Sequence, residues 1–187
     1  MKRSQSRAAP SGFFVVESDG EKHVQDGRVH RPLQTAWAIA AGMDAASTTV
    51  GVIGLGYVGL PTAIGFLDAG FEVWGVDISE RTVATVREGR NPTGDPDVDD
   101  LVPAPGTPRW YVTTSTAEAV PHCDVILVTV PTPVTHDLQP DLSYVASAGR
   151  AVFEALPGGT NTIVVLESTV YPGVTEDVCG PILEQAS

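Results

Sequence analysis

The chain is nearly devoid of lysine: Lys2 and Lys22 are its only two in 187 residues. Residues 43 to 187 hold five arginines against 19 acidic side chains, a balance of −14, whereas residues 1 to 42 carry six basic residues against four acidic ones. Two compositions are joined. The acidic one would repel a phosphate backbone, which argues against nucleic acid as a partner. It suits a high-salt, halophilic cytoplasm, where dense salt screens self-repulsion. Cysteine is scarce too. Cys123 and Cys179 have no CxxC spacing, and His23, His30, His122 and His136 are scattered, so neither a disulfide framework nor a zinc site can be composed. Both cysteines read as small buried hydrophobes, and no metal is expected. No apolar run approaches the ~18 residues that span a bilayer. Lys2, Arg3 and Arg7 have no apolar segment behind them, so the basic N-terminus is not a secretory signal. These absences point to a cytoplasmic protein without a membrane partner.

What the chain does have is an ordered series between Val50 and Asp77. The apolar strand Val50-Gly51-Val52-Ile53 runs into Gly54-Leu55-Gly56-Tyr57-Val58-Gly59, a helix-like segment follows from Leu60, and a second apolar run ends at Asp77. A GxGxxG string alone is weak; between a strand and a helix, with an acidic residue closing the next strand, it is a dinucleotide-binding fingerprint. Gly54 permits the tight turn, Gly56 lets backbone approach a pyrophosphate, and Gly59 lets helix and strand pack closely. The first-turn amides of the helix are unpaired donors aimed at an anion. Asp77, 18 positions after Gly59, can accept both adenosine ribose hydroxyls and would repel a 2′-phosphate, which favours NAD over NADP.

From Thr49 onward strand-like and helix-like runs alternate, predicting an α/β fold with a doubly wound, Rossmann-like parallel sheet. Strands are predicted at 49–54, 71–77, near 110–113, at 124–130 and at 162–167. Helices are predicted at 57–69, 80–88, 116–120, 141–156 with Asp141 as N-cap, and 174–184. The stretch 90–108, rich in Pro, Gly and Asp, reads as a surface excursion. Residues 1–47 show no clean periodicity and read as a disordered or non-native extension, with Met43 a candidate start; the domain proper is 48–187. Ligands in such sheets lie at the carboxyl ends of the strands. Two further loops fall there, Val130-Pro131-Thr132-Pro133 and Glu167-Ser168-Thr169-Val170-Tyr171-Pro172-Gly173. Prolines that merely end strands and threonines that cap helices would explain each of these loops equally well.

Together VIGLGYVGLPTA, VDIS at Asp77, VPTP at 130–133, DLSYV at 141–145 and ESTVYPG at 167–173 resemble the NAD-binding domain of the UDP-glucose/GDP-mannose dehydrogenase family, in its UDP-N-acetylhexosamine branch. The resemblance covers about residues 48 to 185, and ESTVYPG argues against a hydroxyacyl-CoA or 6-phosphogluconate dehydrogenase. It implies NAD as cofactor, with backbone contacts to the pyrophosphate from Tyr57 and Val58 and with Asp77 on the adenine ribose. Arg81 stands either over the adenosine or as a solvated helix residue. Thr132 would contact the cofactor towards the nicotinamide, and Thr169 would sit beside the nicotinamide and position a water or the substrate. Glu167 ranks below Thr169, since a strand-end carboxylate there more readily orders the loop than acts as a base. Members of the family oxidise a sugar 6-hydroxyl twice through a cysteine thioester, and full-length members are homo-oligomers. The nucleophilic cysteine belongs to a later Gly-rich segment that these residues do not include. The expectation is therefore a sheet truncated after its fifth strand and helix, with an uncovered edge. It would bind NAD but be inactive alone, and a UDP-sugar would bind only with the C-terminal region. The alternative is a non-catalytic NAD-binding or interaction module that works with a separate C-terminal polypeptide.

Overall fold

A computed structural model of the chain describes residues 14–17, 42–134, 140–168 and 174–186. Strand β1 (Phe14–Glu17) precedes β2 (Thr49–Ile53), α1 (Gly59–Asp68), β3 (Glu72–Val76), α2 (Glu80–Arg87), β4 (Trp110–Thr113), α3 (Thr116–Ala119), β5 (Val125–Val128), α4 (Ser143–Ala155), β6 (Ile163–Leu166) and α5 (Gly180–Ala186). The six strands form one sheet in the order β1-β6-β5-β2-β3-β4, and every neighbouring pair is parallel.

The continuous apolar strands follow from burial on both faces. Val50 and Val52 of β2, Val73 of β3, Val125 and Leu127 of β5 and Val165 of β6 pack on one side with Leu60, Ala63 and Phe66 of α1 and Val83 and Val86 of α2. Their alternates, Ile53, Val76, Ile126, Val128, Val164 and Leu166, pack on the other side with Ala119 of α3 and Val145, Val152 and Phe153 of α4. A period of two on a sheet covered by helices on both faces leaves no position for a polar residue, so the strands lose their polar alternation. Apolar side chains such as Val50, Val52, Leu60, Phe66, Ile126 and Leu127 are wholly out of solvent.

The five predicted strands are all present. The N-terminal end departs from expectation. Phe14–Glu17, in the segment read as a disordered or non-native extension, is a strand paired in register with Ile163–Leu166. It lies on the edge that the sequence left uncovered. Met43 and Ala45 pack against the core, so the packed unit begins a few residues before position 48. A four-residue strand whose partner lies some 150 positions away has no local periodicity to announce it. The helix predicted from Asp141 starts instead at Ser143, and Leu142 is its N-cap without a capping side chain. Asp141 bonds its Oδ1 to the Ser143 N–H at 2.9 Å from just outside the helix. That pairing, through the Ser143 side chain first and its backbone second, holds the carboxyl below the usual carboxylate range.

Order matters for what comes next. From β2 the chain winds to β3 and β4 on one side, then returns to β5 and β6 on the other. The carboxyl ends of β2 and β5 therefore flank the crevice where the winding reverses, the place at which sheets of this kind bind ligands.

Candidate cofactor-binding site

Three side chains tie this carboxyl rim together, one across each gap between neighbouring strand ends from β3 to β6. Asp77, just past β3, accepts the Leu55 N–H at Oδ2 (2.9 Å) and the Ser79 N–H at Oδ1 (2.9 Å). Thr129, just past β5, donates its hydroxyl to Gly54 O (2.8 Å) and Ile53 O (3.0 Å) at the end of β2. Ser168, just past β6, donates its own to Val130 O (2.8 Å) in the loop after β5.

Within this frame the three fingerprint glycines answer to different demands. Gly54 has φ +99°, a conformation that L side chains rarely adopt, and turns the chain out of β2. Gly59 is forced by packing: a Cβ there would fall 1.7 Å from Gly54 O and 2.4 Å from Thr129 Oγ1. Gly56 is required by neither. Its φ is not positive, and among the described residues a Cβ on it would meet nothing within 4 Å. Backbone left bare where the fold has no need of it fits a ligand that must come close. Beside it α1 begins with N-cap Val58, no side-chain cap and no acidic residue in its first turn, so no side chain of its own competes with an anion at the helix start. These features fit a dinucleotide pyrophosphate.

The other predicted residues fall around the same crevice. Tyr57 is 70% exposed at the tip of the loop, and Val58 is half-buried. Asp77 keeps further lone pairs on both oxygens after its two backbone bonds, which suits a pair of ribose hydroxyls. Arg81 is exposed on the first turn of α2. Thr132 lies half-buried in the loop after β5, the loop that Ser168 holds. Glu167 is buried, and its amide donates to Val128 O at 2.9 Å. Thr169 and the rest of its loop, 170–173, lie outside the described residues.

Sequence reasoning passed over Thr129, Ser168 and Ile78. Thr129 shows in sequence only as the first polar residue after the run Val125–Val128. Ile78 is 86% exposed immediately after Asp77, an apolar surface beside the carboxylate. Its signal is an aliphatic residue where a strand has already ended.

Neither cysteine is placed for chemistry. Cys123 is buried against Gly51 with its thiol donating to Ala119 O, and burial first, then Asp124 and Glu72, pushes its pKa up to about 12. Only the thiolate is a good nucleophile, so this group is inert. Cys179 is also buried.

A parallel, doubly wound sheet with a glycine loop at its switch point and an acidic residue closing the next strand is a dinucleotide-binding domain. Residues 48–187 match the NAD binding domain of the UDP-glucose/GDP-mannose dehydrogenase family. The chain belongs to that family, and NAD is its cofactor. It is 42% identical over 130 residues to an NDP-N-acetyl-D-galactosaminuronic acid dehydrogenase of Ralstonia nicotianae, covering 70% of this chain and 30% of that protein. Identity is 40% over 138 residues to a UDP-N-acetyl-D-glucosamine 6-dehydrogenase of Pseudomonas aeruginosa, covering 74% of this chain and 31% of that protein. Among solved structures, a GDP-mannose dehydrogenase of Pseudomonas aeruginosa superimposes with a TM-score of 0.70 at 32% identity, over 74% of this chain and 32% of that one. The chain thus spans about a third of the length of its curated relatives.

Proposed function

We propose that the chain supplies the NAD-binding part of a UDP-N-acetylhexosamine 6-dehydrogenase, in service of polysaccharide or glycan synthesis in the cytoplasm. The observation that carries this reading is Gly56: bare backbone at the switch point, demanded by no contact among the described residues, next to an uncapped helix start. Names of several relatives point to N-acetylated nucleotide sugars as the substrate class. On this reading the amides from Gly56 to Gly59 hold the pyrophosphate. Asp77 takes the adenosine ribose, and Ile78 and Arg81 line the adenine. Thr132 and Thr169 lie towards the nicotinamide, which when bound supplies the hydride acceptor. Neither cysteine is poised as the nucleophile of the second oxidation, since Cys123 and Cys179 are both buried. The sugar chemistry therefore waits on a further region, in the same polypeptide or in a separate one.

Titration of the full 187-residue chain with NAD⁺ and NADP⁺ by calorimetry tests the reading. Binding of NAD⁺, at least tenfold weaker binding of NADP⁺ and no reduction of NAD⁺ by a UDP-N-acetylhexosamine are expected, the tenfold corresponding to about 1.4 kcal/mol. Turnover by this chain alone, or equal affinity for the two cofactors, would overturn it.

A further inference from the structure

We infer that Thr129 is a positioning residue for cofactor binding: through one peptide group it fixes both the pyrophosphate loop and the ribose carboxylate. The inference rests on the NAD-binding reading and extends it to a side chain outside the fingerprint.

The geometry is a chain of three contacts across β5, β2 and β3. The Thr129 hydroxyl donates to Gly54 O at 2.8 Å, with a longer share to Ile53 O at 3.0 Å. Gly54 O belongs to the Gly54–Leu55 peptide, and the N–H of that same planar group donates to Asp77 Oδ2 at 2.9 Å. A peptide gripped at its oxygen from one side and at its hydrogen from the other cannot rotate about its flanking bonds without breaking a bond. The next peptide in line leads into Gly56, the bare backbone of the cradle. The Gly54–Leu55 peptide thus links the loop, held from the end of β5, to one oxygen of the Asp77 carboxylate, whose other oxygen accepts the Ser79 N–H.

Packing makes this grip tight. Thr129 is 9% exposed, and its Oγ1 lies so near Gly59 that a Cβ on that glycine would come within 2.4 Å of it. The start of α1, the turn at Gly54 and the end of β5 therefore meet at one hydroxyl. Its own backbone is pinned by Thr129 N–H to Ile53 O at 2.9 Å, so the side chain acts from a rigid base. A site held before the ligand arrives loses less freedom on binding, and affinity follows that preorganisation.

Three variants of the 187-residue chain test this: Thr129→Val, which keeps the shape and removes the donor, Thr129→Ser, which keeps the donor, and Thr129→Ala. Each is measured for its dissociation constants for NAD⁺ and NADP⁺ and for its melting temperature. Thr129→Val is expected to weaken NAD⁺ by about tenfold, because the Gly54–Leu55 peptide is no longer held in place before the cofactor arrives. It should also narrow the gap between NAD⁺ and NADP⁺, because Asp77 then has only the Ser79 N–H as a fixed bearing. Thr129→Ser should stay within about twofold of the parent. If Thr129→Val does not fold, Thr129→Ala replaces it in the comparison with Thr129→Ser. A purely structural hydroxyl would lower the melting temperature and leave the folded chain's affinity and cofactor preference unchanged; that result overturns the inference. So does equal weakening by Ser and Val. Failure of the unsubstituted chain to bind NAD⁺ would instead count against the cofactor reading itself.

Discussion

Gly56 and Gly59 look alike in the string GLGYVG, yet the two positions obey different forces. At Gly59 the neighbour that an added methyl would strike is backbone, the Gly54 carbonyl, which cannot swing aside as a flexible side chain could. Gly59→Ala should therefore cost about 3 kcal/mol or more in urea unfolding, at or above the upper end of ordinary overpacking. Gly56→Ala should leave stability within about 0.5 kcal/mol of the parent, as for a surface position. It should nevertheless weaken NAD⁺ by about tenfold or more, because the methyl would stand where the cofactor approaches. Equal stability losses at the two positions, or unchanged NAD⁺ affinity in Gly56→Ala, would refute the division. The spacing of the motif announced all three glycines. It also assigned each its part, the turn to Gly54, the cofactor's approach to Gly56 and the packing to Gly59; the structure adds what enforces them, a φ of +99° at Gly54 and the Gly54 carbonyl that a Cβ at Gly59 would strike.

Among elements, the two sides of the sheet are guarded in different ways. Strand β4 is four residues long, and Arg87 of α2 donates its Nε to Val112 O at 2.8 Å, occupying an outward-facing carbonyl. Short strands and covering charged side chains are the usual guards of a sheet edge. On the opposite side β6, with its apolar run Ile163–Leu166, is covered by β1. Removal of residues 1–42 is expected to bare the β6 edge and to cause concentration-dependent self-association in light scattering. A shortened chain that stays monomeric at every concentration would show that β1 has no protective part. The central elements were legible because their signals are local: apolar runs for β5 and β6, and the alternation of strand-like with helix-like runs from Thr49 onward. The start of α4 was misplaced by two residues, since Asp141 accepts the amide two positions on, as an N-cap can, but from one position before the N-cap Leu142. Strand β1 was missed because its stability comes wholly from a partner distant in sequence.

For the molecule as a whole, charge is the dominant global property. The chain carries a formal charge of −12, concentrated beyond residue 42. Surface pairing offsets little of it: Arg90 bonds Glu88, with both side chains more than half exposed, and pairs of that kind contribute weakly. Self-repulsion should then be relieved by salt, because the screening length falls from about 10 Å at 0.1 M to about 3 Å at 1 M. The melting temperature is expected to rise by several degrees between those concentrations in calorimetry, and a flat profile would count against adaptation to a high-salt cytoplasm.

By itself the sequence determined the α/β class, five of the six strands, the family and the cofactor. Each of those rests on order along the chain: alternating apolar periods, glycines at fixed spacing after a strand, an acidic residue at the end of the next one. The tertiary structure decided what depends on residues far apart in sequence. It placed Phe14–Glu17 beside β6, and it brought Thr129 and Asp77, 52 positions apart, onto the two ends of one peptide group. A hydroxyl at the end of a strand carries no label in one dimension. Its part in the site appears only when parallel pairing sets the end of β5 against the turn that leaves β2.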